Sequence, residues 1–452
     1  MQQILRKNFA ANSPKEIPSS YREEAVIFLE TVRELLLENK LDEVVEVTRV
    51  ALRKYPYFRC FTKRIYVTLM NDVDYGGDAA NEIVKIDQAT TAKIRTIGVD
   101  RFGLPPIVEI NWMLGRVGEM LDQTALSYHS TKLGLLNQKP VLAVPPSAPI
   151  SNLAFIPYLY DAFDVITDPK LCKYFQHMSK FCPFDPYTYS YGSTAGHNGT
   201  FLNAAYDDLI AKEIPISPFK LKNSTIVSAL EFLAQYGLSS NDEFIVLHLR
   251  EEGYFDSYQH KYRNVNIENY NESIDWLLKQ GLKVVRIGHP KMTPLKPRHG
   301  FIDLTISERP GEVDIYLCAK AKFYYGSSSG PYSISFNFNV PSLLTSLILY
   351  GPQRPNNLLQ FLPLKNKVTG KILSIKEIKE KHLNSIFSAR VFDRLGLEPI
   401  FPSSESNLLL VKEMIEYLDK GKIYKENVAN RKKLRSYDIL GGLCSESLSF
   451  LT

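Results

Sequence analysis

From about Ala92 onward, short apolar runs alternate with stretches of helical period, and that alternation restricts the chain to α/β architectures built on parallel sheets. Val108-Glu-Ile-Asn-Trp-Met-Leu114, Val141-Leu-Ala-Val-Pro145 and Phe163-Asp-Val-Ile166 read as strands, with a turn at Gly115-Arg-Val-Gly118 and a helix over Leu126–Leu136. A second series begins near Ser224. It runs helix Thr225–Tyr236, strand Phe244–Leu249, helix Ile267–Gln280, strand Lys283–Gly288, short strand Phe301–Leu304, helix Val313–Lys320, strand Lys322–Gly326 and strand Pro341–Leu349. Between the two series, residues 181–200 are rich in Tyr, Gly, Ser and Pro and read as a long ordered loop, and Ile214-Pro-Ile-Ser-Pro-Phe219 reads as a linker stiffened by two prolines. Two such units in tandem place a cleft between the carboxyl ends of their strands.

Ahead of the α/β region the pattern is helical from Tyr21 to about Asn81, with Ala25, Phe28, Leu29, Val32, Leu35 and Leu36 on one face. The stretch from Glu34 to Pro56 resembles a single tetratricopeptide unit, two antiparallel helices closed by a proline. One unit is too short for a solenoid, so a helical cap is expected that docks on the next domain or on a protein partner. The expected organisation is a helical cap over 1–90, a first Rossmann-like domain over 91–215, a second over 216–402, and C-terminal helices and tail over 403–452, with Ser403–Leu418 the firmest helix of that tail.

Composition narrows the function. A chain of 452 residues with 44% hydrophobic side chains buries a sizeable core, which excludes global disorder. The net charge of +5 is far from the dense basic footprint of a nucleic-acid binder, while acidic small molecules remain possible partners. Cys60, Cys172, Cys182, Cys318 and Cys444 are scattered, which fits neither a disulfide framework nor a zinc site. The first residues lack the apolar run of a signal peptide and nothing approaches a transmembrane span, so a cytoplasmic protein is expected. The basic stretch Arg431-Lys-Lys-Leu-Arg435 is a solvated charge run or an attachment to the inner membrane face.

The stretch Val246-Leu-His248-Leu-Arg250-Glu251-Glu252-Gly253 carries the strongest chemical signal. Residues two apart at a strand end point to one face, so His248 and Arg250 both address the cleft. An arginine closing a buried strand needs an anionic partner: a carboxylate at the domain edge or a phosphate, which suits its planar fork. A second stretch, Gly326-Ser327-Ser328-Ser329-Gly330-Pro331, lies between a strand and a probable helix over Tyr332–Phe336. Its small residues let backbone amides approach a phosphate and its hydroxyls add donors; no lysine follows the glycines, so it is no Walker motif, and a plain turn is the alternative. Arg263 and Asn264 stand before a helix where they could face the cleft; Gly288-His289 ends a strand and could line the ligand pocket, an exposed loop histidine being the alternative, and Asp303 ends a short strand. Asp72-Val-Asp74 has the acidic spacing of a metal-held diphosphate site but lies in the helical region, and no metal is expected.

At these residues the chain resembles the metal-independent sugar transferases with two facing Rossmann-like domains (the GT-B architecture), especially the fucosyltransferase superfamily. The resemblance runs through His248-Leu-Arg250, Phe301-Ile-Asp303, Val313-Asp314-Ile-Tyr-Leu317 and Tyr325-Gly-Ser327-Ser328, over about residues 244–345. The whole chain is similar to a family of bacterial glycosyltransferases found with surface-polysaccharide genes, through Tyr262-Arg-Asn264, Val285-Arg-Ile-Gly288 and Gly326-Ser-Ser-Ser-Gly330. The resemblance implies that Arg250 clamps a donor's β-phosphate, that Ser327 and Ser328 hold phosphate oxygens with Ser329 beside them, and that His248 and Asp303 lie near the base. Asp303 would suit guanine, hence a GDP-sugar. Glu251 and Glu252 stand where a fucosyltransferase has further arginine, which puts fucose itself in doubt.

Inversion at the anomeric carbon needs a base unless the departing phosphate takes the proton. Glu251, Glu252, Asp256 and, from the acceptor side, Glu119 behind Arg116 are all open for that role. The expected activity is transfer from a nucleotide-diphosphate sugar to a glycan or protein acceptor. A non-catalytic binding protein with a degenerate site is the alternative, and a nucleotide-sugar epimerase of similar architecture a third possibility.

Overall fold

The computed structural model describes residues 17–73, 77–108, 114–179, 181–184, 190–191, 194–195, 198–252, 258–348, 356–381, 383–386, 388–420, 429, 431–436 and 442–448. Four helices form the N-terminal segment: α1 (Arg22–Leu37), α2 (Leu41–Lys54), α3 (Thr62–Thr68) and α4 (Asp78–Arg95). The turn between α1 and α2 places Asn39 in the left-handed region, which asparagine tolerates better than most side chains. The apolar stripe of α1 closes on Val44, Leu52, Phe58, Phe61, Ile65, Ile83 and Ile86, a core of its own in which Phe28 stacks on Phe58 at 5.6 Å. Arg59 and Asp87, each 4% exposed, pair inside it at 3.4 Å, and Thr62 also donates to Asp87.

The first α/β unit comprises β1 (Ile107–Val108), α5 (Val117–Lys132), β2 (Val141–Ala143), β3 (Asp164–Ile166), α6 (Pro169–Met178) and β4 (Pro183–Phe184). Its four parallel strands lie in the order β3-β2-β1-β4. The second unit contains α7 (Asn223–Leu233), β5 (Phe244–His248), α8 (Asn271–Lys279), β6 (Lys283–Arg286), β7 (Phe301–Asp303), α9 (Gly311–Lys320), β8 (Tyr324–Ser327), α10 (Gly330–Asn337), β9 (Ser342–Leu347), β10 (Asn357–Phe361), α11 (Ser404–Lys420) and β11 (Gly442–Leu443). Its seven parallel strands run β11-β10-β9-β8-β5-β6-β7. Each sheet therefore reverses direction between its first and fourth strands, and ligands of such sheets bind at that switch point. The central strands β5 and β9 are buried along their whole length, as expected of a parallel sheet covered on both faces. This is the two-unit α/β architecture of parallel sheets, with helices at its N-terminal end, that the sequence led us to expect.

One continuous core joins the two units. Across the join, the Tyr158 and Thr225 hydroxyls bond at 2.9 Å, Ser217 Oγ donates to the Phe336 carbonyl at 2.7 Å, and Asn152 Nδ2 donates to the Gly311 carbonyl at 3.0 Å. The helical segment touches both units: Tyr57 meets Phe181 edge-on at 5.4 Å, and Arg394 Nη1 donates to the Asp72 carbonyl at 3.3 Å.

The structure moves several expected boundaries. Helix α4 runs unbroken across residue 90, because its apolar residues Ala79, Ala80, Ile83, Ile86 and Ile94 keep helical spacing and no glycine or proline interrupts it. Helix α5 begins at Val117, well ahead of Leu126, and stops at Lys132 as Gly134 turns the chain with a positive φ. Strand β10 and the edge strand β11 were not foreseen; β11 returns the C-terminal segment to the second sheet, beside β10. Residues 109–113 of the expected strand Val108–Leu114 lie outside the described residues, as do Asp74 and residues 185–189, 192–193 and 196–197 of the expected loop 181–200; the rest of that stretch is not plain loop, because it holds β4, the paired segments Ser190–Tyr191 and Thr194–Ala195, and the start of a helix over Asn198–Ala211. No helix among the described residues is long and apolar enough to cross a membrane.

Candidate functional site

At the switch point of the second sheet, β8 pairs with β5 so that Gly326 lies opposite His248. Gly326 has φ +149°, and a Cβ there would stand 2.0 Å from the His248 carbonyl oxygen, so only glycine permits this approach. Beyond that point the two strand ends are fastened together. The Arg250 N–H donates to Ser327 Oγ at 3.1 Å, Arg250 Nε donates to Asn264 Oδ1 at 3.1 Å, and Arg263 Nη2 donates to the Ser328 carbonyl at 3.0 Å. Arg250, Arg263, Asn264, Ser327 and Ser328 thus share one place in the fold.

Helix α10 starts immediately after. Ser329 is its N-cap in extended conformation, and its hydroxyl makes no capping bond. Helix α5 starts from Arg116, likewise without a side-chain cap. The two starts meet: a Cβ on Gly118 would lie 3.1 Å from Gly330 Cα, and one on Gly330 would lie 3.2 Å from Gly118 N. Helix N-termini carry unsatisfied N–H groups and the positive end of the macrodipole, and here the first turns of one from each unit are in contact.

The charges of the two units act on each other there. Burial and the neighbouring Arg250 push Arg263 down to about 9, with Arg116 adding to the effect and Glu119 opposing it. Burial also lowers His260 to about 4, helped by Arg263, Arg250 and Arg116. Arg116 and Glu119 of the first unit therefore share an electrostatic field with Arg250 and Arg263 of the second. His248 is 4% exposed, and its Nδ1 has no hydrogen-bond partner among the described residues. Burial first, then Arg250 and Arg286, lower its pKa to about 3, so it is neutral at physiological pH. Because the unfolded chain binds this proton near 6.5 and the folded chain only near 3, stability is full above that window and falls as pH drops through it. Thermal melts from pH 7 to pH 4 are expected to show this loss, and His248→Gln is expected to flatten the slope; an unchanged slope would exclude the buried neutral histidine.

Beside this cluster the structure corrects the expectation for Asp303 and places Glu251. Arg286, fully buried on β6, donates from Nη2 to Glu251 Oε2 at 2.8 Å and from Nη1 to Asp303 Oδ2 at 3.1 Å. Asp303 also accepts from the Leu295 N–H, the Thr305 N–H and the Thr305 hydroxyl, at 3.1, 3.1 and 2.6 Å. Four donors fill the lone-pair sites of a carboxylate, so Asp303 has none left for a nucleobase. Glu251 accepts on Oε2 from Arg286 and from the Thr293 N–H at 3.2 Å, so it is engaged in an ion pair on the β6 side of the cluster. Glu252 is exposed in a turn, and Asp256 lies outside the described residues. The Gly288 carbonyl accepts from Arg309 Nη2 at 3.0 Å, and His289 Nδ1 accepts from the Lys291 N–H at 3.2 Å, so both belong to the loop after β6.

Arg286, Arg309 and His260 were missed by the sequence reading. Arg309 grips Asp314 through two nitrogens at 2.7 and 3.2 Å and also bonds the Leu304 carbonyl at 2.7 Å, which ties the loops after β6 and β7 to helix α9. The signal for Arg286 was available, because it too is an arginine closing an apolar strand; the same need for an anion that singled out Arg250 is met at Arg286 by two carboxylates.

No protein-family model matches the sequence, and no curated protein matches it. Solved structures do. The chain is similar to a family 9 glycosyl transferase from Veillonella parvula, with 13% identity, a TM-score of 0.36, and coverage of 68% of this chain and 97% of that one. It is similar to the E. coli ADP-heptose lipopolysaccharide heptosyltransferase II, with 13% identity, a TM-score of 0.38, and coverage of 70% and 99%. It is also similar to the UDP-GlcNAc 2-epimerase of Methanocaldococcus jannaschii, with 16% identity, a TM-score of 0.22, and coverage of 66% and 82%.

Chemically, two guanidinium groups beside two uncapped helix starts favour a dianion or larger, and guanidinium forks match phosphate oxygens. The carboxylate of Glu119 is the one acidic group placed among them by its effect on Arg263.

Proposed function

We propose that the chain is a glycosyltransferase that binds the diphosphate of a nucleotide-sugar donor between Arg250, Arg263 and the start of α10, and transfers the sugar to a hydroxyl of a glycan or protein acceptor presented by the first unit. The observation that carries this reading is that Arg250 and Arg263 are fastened to Asn264, Ser327 and Ser328 at the strand ends, next to where the starts of α5 and α10 touch. As the anomeric C–O bond breaks, its electron pair moves onto the β-phosphate oxygen. Guanidinium groups and helix dipoles that are already oriented stabilise this growing charge in the transition state. These cations supply the role that a divalent ion has in other transferases, so binding is expected without metal.

Glu119, on the first turn of α5, suits the acceptor side: its carboxylate takes the acceptor O–H proton while that oxygen forms the new bond to the anomeric carbon. Direct displacement of this kind inverts the centre. Glu119→Gln is expected to lower kcat about 10²-fold with the donor KM unchanged; an unchanged kcat would leave the proton to the departing phosphate. The four donors on Asp303 leave that carboxylate no part in choosing guanine.

Thermal melts with GDP, UDP, CDP and ADP, in EDTA and then in magnesium, test the donor site. One diphosphate is expected to raise the Tm in EDTA, and the matching sugar nucleotide to be turned over with an acceptor panel. Stabilisation by none, or only with magnesium, would overturn the proposal. Binding without any transfer would favour a non-catalytic binding protein, and conversion of the donor without acceptor would favour an epimerase.

A further inference from the structure

We infer that a second anion-binding site lies at the far end of α5, where Lys132, Lys139, Lys220 and Lys222 surround one cavity, and that it takes a small polyanion of the phosphate class. The cavity has a volume of about 560 Å³ and contains Asp161 as its single carboxylate, within the size range of small-molecule sites. Helix α5 runs Val117–Lys132, so at 1.5 Å per residue Lys132 lies roughly 21 Å along it from Gly118. The inference is therefore independent of the proposed donor site.

The lysines come from separate stretches. Lys132 ends α5 and Lys139 precedes β2, both in the first unit; Lys220 and Lys222 belong to the linker that enters α7. Three of the ammonium groups are positioned by neutral partners. Lys139 Nζ donates to the Tyr160 carbonyl at 3.0 Å, Lys222 Nζ stands 5.2 Å from the Tyr158 ring centroid, and Lys132 Nζ stands 5.7 Å from that of Tyr128. Among the described residues none of the four is within ion-pair distance of a carboxylate. Four like charges around one cavity repel, and an anion with several charges relieves that repulsion. Ammonium groups read charge rather than the planar shape that guanidinium forks select, so the site suits phosphate oxygens in general. Its concavity suits a small molecule rather than a bilayer. A ligand there would bridge the first unit and the linker.

Calorimetric titration of inorganic pyrophosphate into the full chain carrying Arg250→Ala and Arg263→Ala tests the site with the cleft disabled. Residual binding is expected that weakens with salt. It is expected to fall about tenfold or more in Lys220→Gln/Lys222→Gln and in Lys132→Gln/Lys139→Gln, but not in the control Lys376→Gln/Lys379→Gln. Loss of all binding with the two arginine changes, or equal weakening by the control, would overturn the inference. So would binding of phosphatidylglycerol vesicles with no pyrophosphate binding. Because donor binding is read in the unmodified chain and pyrophosphate in the cleft-disabled one, either can fail without the other.

Discussion

Arg250→Ala is expected to lower sugar transfer by about two to three orders of magnitude, the loss typical of removing one oriented donor from a developing anion. The Arg250 backbone N–H still reaches Ser327, so the strand ends remain joined; what disappears is the guanidinium and its bond to Asn264. The Tm without ligand is therefore expected to change little, while stabilisation by the preferred nucleotide diphosphate vanishes. Arg250→Lys tests geometry against charge, because a lysine keeps the charge but cannot form a fork. Full activity in Arg250→Ala would show that the diphosphate sits elsewhere, even if transfer itself is real.

Arg286→Met is expected to cost about 3–5 kcal/mol of folding stability, the range for breaking a buried ion pair by removing one partner. Its two carboxylate partners are little exposed, Glu251 at 13% and Asp303 at 10% of their side chains, and would be left facing each other without a cation. Adding Glu251→Gln to Arg286→Met is expected to recover part of the loss, since one of the two stranded charges goes. Denaturant unfolding of the single and double variants measures both effects. A loss below about 1 kcal/mol, the range of exposed pairs, would mean that Arg286 does not hold Glu251 in a buried pair.

Much of the second unit was legible because its strands are continuous apolar runs and its breaks are glycines and prolines. The ends His248-Leu-Arg250 and Gly326-Ser-Ser-Ser329 could be assigned to one sheet before their register was known, since both terminate such runs. Strand β10 was hidden because Gln360 interrupts its apolar run, although the side chain is buried and paired with Ser406 and Glu446. Strand β11 is only two residues long, too short for periodicity to mark. Within the site, residue type was readable and partnership was not. Arg250 and Arg286 give the same local signal, yet one is oriented by a neutral amide and the other is consumed by two carboxylates, a difference made by loops 14 to 35 residues away in sequence. The contact of Gly118 with Gly330 spans the two units, and no local pattern encodes it.

That contact has a consequence for recombination. Many enzymes of modular build change specificity when one module is exchanged for another, and the first unit here would be the natural piece to exchange. The exchange is constrained at a single atom: an incoming module with alanine in place of Gly118 would press its Cβ against Gly330 Cα at 3.1 Å. A chimaera built without that glycine would have to open the seam between the starts of α5 and α10 by a few tenths of an ångström, which strains the join on which Arg116 and Glu119 stand. Successful module swaps are therefore expected to keep glycine on both sides of the seam, whatever else the new acceptor surface contains.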